Sequence, residues 1–365
     1  MPRPKVNFRG GGAFSDDLKQ GFDNYYSQEG VKQNGYRELH RKAAVVVLWA
    51  AIACPALILF ASNWWEVVLL GLNVVLALIA VEFNVMHDGN HGAFSRHAFV
   101  NNLAGFSLEF LGGSSPGWQV SHNVAHHTWT NIDQMDEDIN APPFARLAST
   151  QEYRPWYRWQ HLYLWLVYGF VTLRWQVWGD FVSYKNGRIG CFELKRRGYR
   201  GFVHLLTGKL LFFGWALALP MWLHWSLHGV AMVLLVFLGL SFLFSFVVTL
   251  TFQAAHCNDE AMFTTPELAN ETLWKVHEVQ TTQNFSPDNR ALRWLLGGLN
   301  FQIEHHLYPW LPHVHYPRIY KMVRAVCERH GLQYHCQPTL WAAVRSHYRH
   351  LREMGEAPKK PQSHA

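Results

Sequence analysis

Charged residues are scarce in this chain. Asp, Glu, Lys and Arg make up only 16 % of its 365 residues, whereas soluble domains carry roughly 25 %. Aromatic residues are correspondingly abundant, at 15 % of the chain with 17 Trp. This composition favours a membrane protein over a soluble one.

Paired cysteines are also missing. The five cysteines form no CxxC pair and no even framework, which argues against disulfides, a zinc ribbon and an iron–sulfur module. The N-terminal sequence MPRPKVNFRGGGAFSDD has no apolar core of signal-peptide type, so we expect no cleaved secretion signal.

The basic residues do not form one basic domain. The net charge is +6, but Lys and Arg are spread among apolar segments, as expected of residues that flank membrane helices. We therefore expect a membrane surface as the partner and not nucleic acid.

Four apolar stretches are long enough to span a bilayer. They cover about residues 43–61, 66–86, 208–225 and 230–255. Very short links join the first to the second and the third to the fourth, which predicts two antiparallel hairpins. The predicted fold is an all-α integral membrane protein with four transmembrane helices and a cytoplasmic helical cap.

Charge placement predicts the orientation of these hairpins. The hairpin tips, 62–65 and 224–229, contain no Lys or Arg, while the other connections are rich in them. The positive-inside bias then places both tips on the outer side of the membrane. The chain termini and the connection between the hairpins lie on the cytoplasmic side. We interpret 99–113 as an interfacial or re-entrant helix and 156–178 as a segment that lies along the headgroup boundary. We assign 1–42 as a cytoplasmic N-terminal segment, 43–320 as the membrane domain and 321–365 as a cytoplasmic C-terminal segment with a disordered end.

Histidines cluster just outside the apolar stretches. HDGNH, HNVAHH and QIEHH form three boxes, and a single histidine ends the last apolar run. These eight residues all fall on the predicted cytoplasmic side: His87, His91, His122, His126, His127, His256, His305 and His306. His224 and His228 lie at a hairpin tip and are excluded from this group.

The number of imidazoles points to two metal ions, because a tetrahedral zinc site takes at most four ligands. Spacings at i and i+4 put two rings on one helix face. Nitrogen ligands without thiolates fit iron, copper or zinc, and spacing alone does not choose among them. The chain contains no HExxH zinc-protease motif and no ExxH pair of soluble di-iron proteins.

The three boxes resemble those of the membrane fatty acid desaturases and their hydroxylase relatives. The patterns HxxxH (87–91), HxxxHH (122–127) and QxxHH (302–306), set around two hairpins, are similar to that family across roughly residues 40–320. The Gln-led third box and TTQNFS (281–286) are similar to the front-end branch, which desaturates between an existing double bond and the carboxyl end.

This resemblance implies a di-iron centre held by the eight histidines, with O2 as co-substrate and a lipid acyl chain as substrate. Gln302 stands where many relatives have a ninth histidine, and its amide oxygen is a weak donor that could ligate loosely or orient a neighbour. We take it as a possible ninth ligand.

Other candidates support the ligands or the substrate. Imidazole ligands need carboxylates or carbonyls to fix their tautomers, and Asp88, Asp136, Asp138 and Glu304 are near enough in sequence. Trp118 is a candidate for lining an acyl channel, although an ordinary aromatic belt explains most tryptophans of a membrane protein.

Electrons must come from outside. Front-end relatives often carry a fused cytochrome b5 domain marked by HPGG, and this chain has no HPGG. The resemblance therefore implies a separate ferredoxin-like or cytochrome b5-like donor with an NAD(P)H reductase. We expect docking on a basic cytoplasmic surface formed by Lys195, Arg196, Arg197, Arg318, Lys321 and Arg324.

Two alternatives remain open at this point. A fatty acyl hydroxylase would use the same centre but end in oxygen rebound. In a zinc-binding membrane protein, fewer of the histidines would be metal ligands, and the bound metal would be zinc and not iron. A bacterial inner membrane is the favoured location, with the endoplasmic reticulum if the chain is eukaryotic.

Overall fold

The computed structural model describes residues 4–28, 30–194 and 198–357. Lys195, Arg196 and Arg197 of the predicted docking surface lie outside the described residues. So does the end of the tail, from 358 onward, that the sequence predicted to be disordered.

Four helices are long and apolar enough to cross a membrane in this described part. They run over Gly35–Phe60, Trp64–Asn90, Tyr199–Leu223 and Leu227–His256. The predicted all-α membrane class with four spans is confirmed. The first and third helices begin well before the predicted starts at 43 and 208, because their polar leading turns stay helical where they pack into the cap.

The N-terminal half contains the first hairpin and the first two histidine boxes. Its helices are α1 (Ala13–Tyr26), α2 (Val31–Phe60), α3 (Trp64–Val81), α4 (His87–Asn90), α5 (Ala98–Gly105), α6 (Ser107–Phe110) and α7 (Ser115–Trp118). Wider π-helical turns cover Glu82–Met86 and Gln119–His126. Each wide turn leads into or contains a histidine box, as is common at functional sites.

The middle of the chain lies between the hairpins as short helices. After 3₁₀ turns at Glu137–Ile139 and Pro155–Trp159 come α8 (Gln160–Tyr168), α9 (Val171–Arg174), a π turn at Trp175–Gly179, α10 (Asp180–Asn186) and the two-stranded hairpin β1 (Arg188–Ile189) and β2 (Phe192–Glu193). The segment predicted to be interfacial, 156–178, is thus divided into pieces too short to cross a bilayer. Trp159, Leu162 and Leu166 point outward from it.

The second hairpin and the rest of the cap follow. The elements are α11 (Tyr199–Phe213), a π turn (Gly214–Ala218), α12 (Leu219–Leu223), α13 (Leu227–His256), α14 (Pro266–Ala269), α15 (Trp274–Gln280), β3 (Asn284–Phe285), α16 (Arg290–Leu295), α17 (Gln302–Leu307), a 3₁₀ turn (His313–His315), α18 (Tyr316–Arg329), β4 (Cys336–Gln337) and α19 (Leu340–Met354). Strands β3 and β4 form one short parallel pair.

The two hairpins pack together through α3, which contacts both α2 and α13. Their tips meet as well, because the Nε2 of His224 lies 3.2 Å from the carbonyl oxygen of Ile58. Leu48, Leu69 and Leu235 remain about three-fifths exposed on the outer faces. Such apolar exposure along a helix is what a lipid environment covers.

The cap is continuous with both chain ends. Helix α1 packs on α18, and α19 packs on α13 and α8. The predicted domain boundary at 320 falls inside α18, whose apolar face is buried in the cap with Phe22 and Phe301. The C-terminal segment is therefore part of the cap and not a separate unit.

A glycine permits the close contact between the third box and the second span. Gly297 has φ 56°, a conformation that glycine adopts without strain. A Cβ there would lie 2.1 Å from the carbonyl oxygen of Phe83. Asn84 also donates its amide to the carbonyl of Leu295, at 3.0 Å, so the segment before the third box is fixed to the helix that leads into the first.

One buried ion pair ties the third span to the middle helices. The Nζ of Lys209 donates to Asp180 Oδ2 at 2.7 Å and to the carbonyls of Gly112 and Trp175, each at 2.6 Å. The Lys209 side chain is only 4 % exposed. Removing one member of such a pair leaves the other charge buried and alone.

We therefore expect Lys209→Ala to destabilise the protein by about 3 kcal/mol, measured as a lowered thermal midpoint in detergent. Lys185→Ala, which removes an exposed lysine of α10, is the matched control and should leave the midpoint unchanged. Equal midpoints for the two variants would contradict this account of the pair.

Candidate metal centre

Local helix geometry presents the histidines to one point. The first box occupies α4 as a continuation of the second span, and the second box lies in the wide turn Gln119–His126. The third box lies on α17, and His256 is the last residue of α13. Four chain segments from both hairpins and the cap thus meet at the end of the helical bundle.

The imidazoles form two groups, and a third set of donors, His122, His126 and Asp138, overlaps both. One ring nitrogen from each of His87, His91, His122 and His305 lies within 4.8 Å of the others, and the same holds for His126, His256 and His306. A set of three or four converging nitrogen donors is what a transition metal ion requires. The geometry therefore offers two adjacent metal positions.

His127 lies between the two groups. Its ring centroid is 4.2 Å from that of His306 and 4.5 Å from that of His305. Its Nε2 is 3.1 Å from the Nε2 of His122, which directs it toward the first group. All eight predicted histidines are therefore in one cluster.

The inward nitrogens lack partners. The Nε2 atoms of six of the eight histidines are buried without a hydrogen bond to any described residue: His87, His91, His126, His256, His305 and His306. Buried polar atoms in native proteins are almost always satisfied. Unpaired lone pairs that face one another fit bound metal ions, so these residues suit the group that they were predicted to hold.

The opposite ring nitrogens are fixed by acceptors. The Nδ1 of His126 lies 3.1 Å from Asp136 Oδ2, and the Nδ1 of His306 lies 2.7 Å from Glu278 Oε2. Both carboxylates are completely buried. A proton held on Nδ1 in this way leaves Nε2 free as the donor, as in carboxylate–histidine–metal arrangements.

Neutral acceptors do the same for two further ligands. The Nδ1 of His305 donates to the hydroxyl of Tyr316 at 3.1 Å, and that hydroxyl donates in turn to the carbonyl of Tyr308 at 3.4 Å. The Nδ1 of His256 donates to the carbonyl of Thr281 at 3.4 Å. Four imidazoles thus have their orientation and tautomer set by the surrounding protein.

The protonation of these rings also suits metal binding. Burial, reinforced by neighbouring imidazoles, holds the pKa values of five rings well below the usual range: His91, His122, His127, His305 and His306. Burial opposes the charge on His126 too, but the carboxylates of Asp136 and Asp138 raise its pKa to about 9. A metal ion takes the place of that proton, so the two carboxylates strengthen this ligand.

The predicted supporting carboxylates divide into two sets. Asp136 contacts His126 directly, and Asp138 Oδ2 lies 3.5 Å from the same ring nitrogen. Asp88 instead pairs with His313, Nδ1 to Oδ2 at 2.9 Å. This contact gives His313, which has no place among the eight histidines, a role in joining the first box to the loop after the third.

Glu304 does not contact an imidazole of the cluster. Its carboxylate accepts hydrogen bonds from Asn284 Nδ2 at 2.7 Å and from the hydroxyl of Tyr334 at 2.8 Å. It lies on the same short helix as His305 and His306, but a neighbour in sequence on a helix points to a different side. Its contacts stabilise the third box from behind.

Gln302 and Trp118 lie against the cluster. Gln302 is fully buried beside His256, and its two amide atoms form no hydrogen bond that satisfies normal geometry with a described residue. The Trp118 ring stacks on His122 with a centroid separation of 4.2 Å. His224 and His228 lie at the exposed hairpin tip, away from the cluster.

Sequence reasoning missed Glu278, Tyr316 and Phe252. The Phe252 ring lies 5.7 Å from that of His122. The motif TTQNFS was a usable signal, because Thr281 bonds His256 and Asn284 Oδ1 accepts from the backbone N–H of Ile303 at the start of the third box. Glu278, three residues upstream of this motif, belongs to the same buried unit.

This arrangement is that of a helical membrane protein with two adjacent histidine clusters at one end of its spans, each of which could hold a metal ion. Comparison with known families identifies it further: the fatty acid desaturase family matches residues 62–338. The chain belongs to this family and is an oxidoreductase.

Individual proteins that are similar to this chain are also desaturases by name. The chain is 33 % identical to the sn-1 linoleoyl-lipid 6-desaturase of Synechocystis sp. over 97 % of its own length and 98 % of the relative. It is 30 % identical to the enzyme of the same name from Arthrospira platensis, with 97 % and 96 % covered. An acyl-lipid (8-3)-desaturase of Physcomitrium patens is 36 % identical over 75 % of this chain and 58 % of the relative.

The contact between Glu278 and His306 predicts that Glu278 affects metal affinity. Glu278→Ala removes the acceptor that orients His306, and loss of such a partner lowers metal affinity roughly 10- to 100-fold. Metal analysis after dialysis against a graded chelator series measures this change. Glu267→Ala, at an exposed site on α14, should retain wild-type metal content, and equal retention by both variants would remove Glu278 from the site.

Proposed function

We propose that this protein is a front-end acyl-lipid desaturase that adds a cis double bond between an existing double bond and the carboxyl end of a lipid-bound acyl chain. The observation that carries the proposal is the convergence of eight imidazoles, six with free buried Nε2 atoms, into two groups at the end of the membrane spans. The overall reaction converts –CH2–CH2– with O2, two electrons and two protons into –CH=CH– and two waters.

Two iron ions are the proposed occupants. His87, His91, His122 and His305 would hold one ion, and His126, His256 and His306 the other, with His127 completing the first set. Gln302 lies beside His256 and is the additional donor available to the second. When bound, iron supplies the activation of O2 that removal of hydrogen from an unactivated C–H bond requires.

The protein's own contribution is orientation and exclusion of water. Asp136, Glu278, Tyr316 and the Thr281 carbonyl hold their imidazoles in one tautomer. The other face of each ring packs against another ring of the cluster. A buried, fully oriented donor set protects a reactive centre from solvent and side reactions.

The acyl chain reaches the site along an aromatic surface. Trp118 lies over His122, and its ring is 5.6 Å from that of His87. Phe252 of the last span flanks the same two rings, at 6.5 Å and 5.7 Å. These side chains offer an apolar approach to the first imidazole group, which fits a methylene substrate and supports the proposal that Trp118 lines the acyl channel.

Relatives support the acyl-lipid carrier and the position of the bond. Two cyanobacterial proteins that match nearly the whole chain carry the name sn-1 linoleoyl-lipid 6-desaturase. The Gln-led third box agrees with this front-end assignment. We therefore take desaturation at carbon 6 of a linoleoyl lipid as the expected reaction.

Electrons come from a separate carrier protein in this proposal. The chain has no HPGG haem motif and no CxxC pair. A ferredoxin or a cytochrome b5, itself reduced through an NAD(P)H reductase, would supply two electrons per turnover. The charge asymmetry of the connections supports a cytoplasmic site for this transfer.

Expression in a host that contains linoleate but makes no trienes tests the reaction. We expect gas chromatography–mass spectrometry of the lipids to show a new fatty acid with a third double bond on the carboxyl side of the existing pair. A His306→Ala variant expressed to the same level is the control. A hydroxylated product would instead establish the hydroxylase alternative, and zinc without iron in the purified protein would contradict the di-iron centre.

Each clustered histidine should be essential. Replacing any one of the eight by Ala removes a metal donor, so we expect loss of product with membrane insertion intact, measured by lipid analysis and membrane fractionation. Gln302→Ala should cause a strong partial loss. His224→Ala and His228→Ala are the matched controls and should remain active; full activity in His256→Ala would remove that residue from the ligand set.

The two hairpin tips and the cap should lie on opposite sides of the membrane. In a background without native cysteines, Ser226→Cys at the second tip should react with an impermeant thiol reagent from outside. Arg96→Cys and Asp288→Cys, both exposed on the cap, should react only after the membrane is opened. Labelling of either cap position in intact cells would overturn the orientation.

A further inference from the structure

A basic groove on the cap is the strongest feature that the metal site leaves unused. We propose that this groove docks an acidic electron-carrier protein and that it marks where electrons enter. The inference rests on the proposed function, because only a redox enzyme needs such a partner, and it names the surface that the partner occupies.

The groove lies between the loop before α16 and the first turns of α18. It has a volume of about 540 Å³ and is lined by Pro287, Asp288, Arg290, Arg293, Pro317, Tyr320 and Lys321. Three basic side chains and one acidic side chain thus surround one opening. A surface of this sign attracts an acidic partner and speeds its encounter.

The groove's basic groups are available to a partner. Arg290, Arg293 and Lys321 form no ion pair with any described residue, and Arg290 and Lys321 are exposed. By contrast, Arg318 pairs with Glu38 at 2.5 Å and Arg324 with Glu328 at 2.8 Å. Among the suggested docking residues that the structure describes, Lys321 therefore offers the uncompensated charge, while Arg290 and Arg293 were not foreseen.

The groove is connected to the metal site by direct contacts. Pro317 in its wall follows Tyr316, whose hydroxyl accepts from His305 Nδ1 at 3.1 Å. Tyr320, also in the wall, packs on the buried ring of Phe301 with a centroid separation of 5.4 Å, and Phe301 precedes Gln302. The wall of the groove is thus linked to the ligand His305 through the buried side chain of Tyr316.

The lining favours a protein over a membrane lipid. Apart from two prolines and the tyrosine, every lining side chain is charged, and no aliphatic side chain is present to cover an acyl chain. A lipid headgroup would bring acyl chains that this groove does not accommodate. Acidic side chains on the rim of a folded carrier satisfy the three cations without that requirement.

Carrier binding by full-length protein in lipid nanodiscs tests the proposal. The probes are a plant-type [2Fe–2S] ferredoxin and the soluble domain of a cytochrome b5, each measured for its dissociation constant at low and high salt. Arg290→Glu combined with Lys321→Glu reverses the sign of two of the three positive charges in the groove, and this pair is called the groove reversal. Arg345→Glu combined with Arg352→Glu makes the same charge change on α19, which does not line the groove.

We expect the groove reversal to weaken binding of at least one carrier about tenfold or more at low salt. Anaerobic reduction of the iron-loaded protein by that carrier should slow by a similar factor. The control pair should change neither quantity. Carbodiimide cross-linking should join Lys321 to a carrier carboxylate in the wild type.

Three outcomes would overturn the docking site: no binding of either carrier, equal weakening by both variant pairs, or binding that is indifferent to the groove. If the groove reversal instead abolishes stabilisation by anionic lipid, the groove binds a headgroup. Product formed in a single turnover with dithionite tests the desaturase itself, so failure of docking and failure of the proposed function are distinguishable.

Discussion

The arrangement of this protein depends on one constraint: many neutral imidazoles must be buried together with their lone pairs facing inward. Such a cluster is unfavourable by itself, because buried polar atoms without partners lose their hydration and gain nothing in return. Six Nε2 atoms are in that state here. Binding of metal ions would remove this cost and would couple folding of the cluster to metal binding.

The rest of the fold can be understood as the means of holding that cluster in place. Two hairpins deliver the first box and His256 at the same end of the bundle, while the cap closes over them with the second and third boxes. Acceptors on the outer side of the rings, including Asp136 and Glu278, set which nitrogen faces inward. Contacts such as Gly297 against Phe83 let the segments approach closely enough to share metal ions.

The cap also connects the centre to the surface. Helix α18 contributes Tyr316 to the hydrogen bonding of His305 and Tyr320 to the wall of the basic groove. One short helix therefore serves both the ligand arrangement and the surface proposed for electron entry. Trp118 and Phe252 both lie against His122, where the acyl chain is proposed to approach. In the proposed arrangement the acyl chain and the electron carrier approach different parts of the cap.

The membrane class, the approximate spans and the eight candidate ligands could be predicted from the sequence, because apolar length and histidine spacing are local properties that a one-dimensional pattern records. The division of the histidines into two groups, the pairing of Asp88 with His313 and the contact of Glu278 with His306 became visible only after folding. Glu304, although adjacent in sequence to two of the histidines, contacts Asn284 and Tyr334 instead. Arg318 and Arg324 of the predicted docking surface are paired with acidic residues. These outcomes depend on which side chains from separate segments face each other after packing, and sequence proximity does not specify that direction.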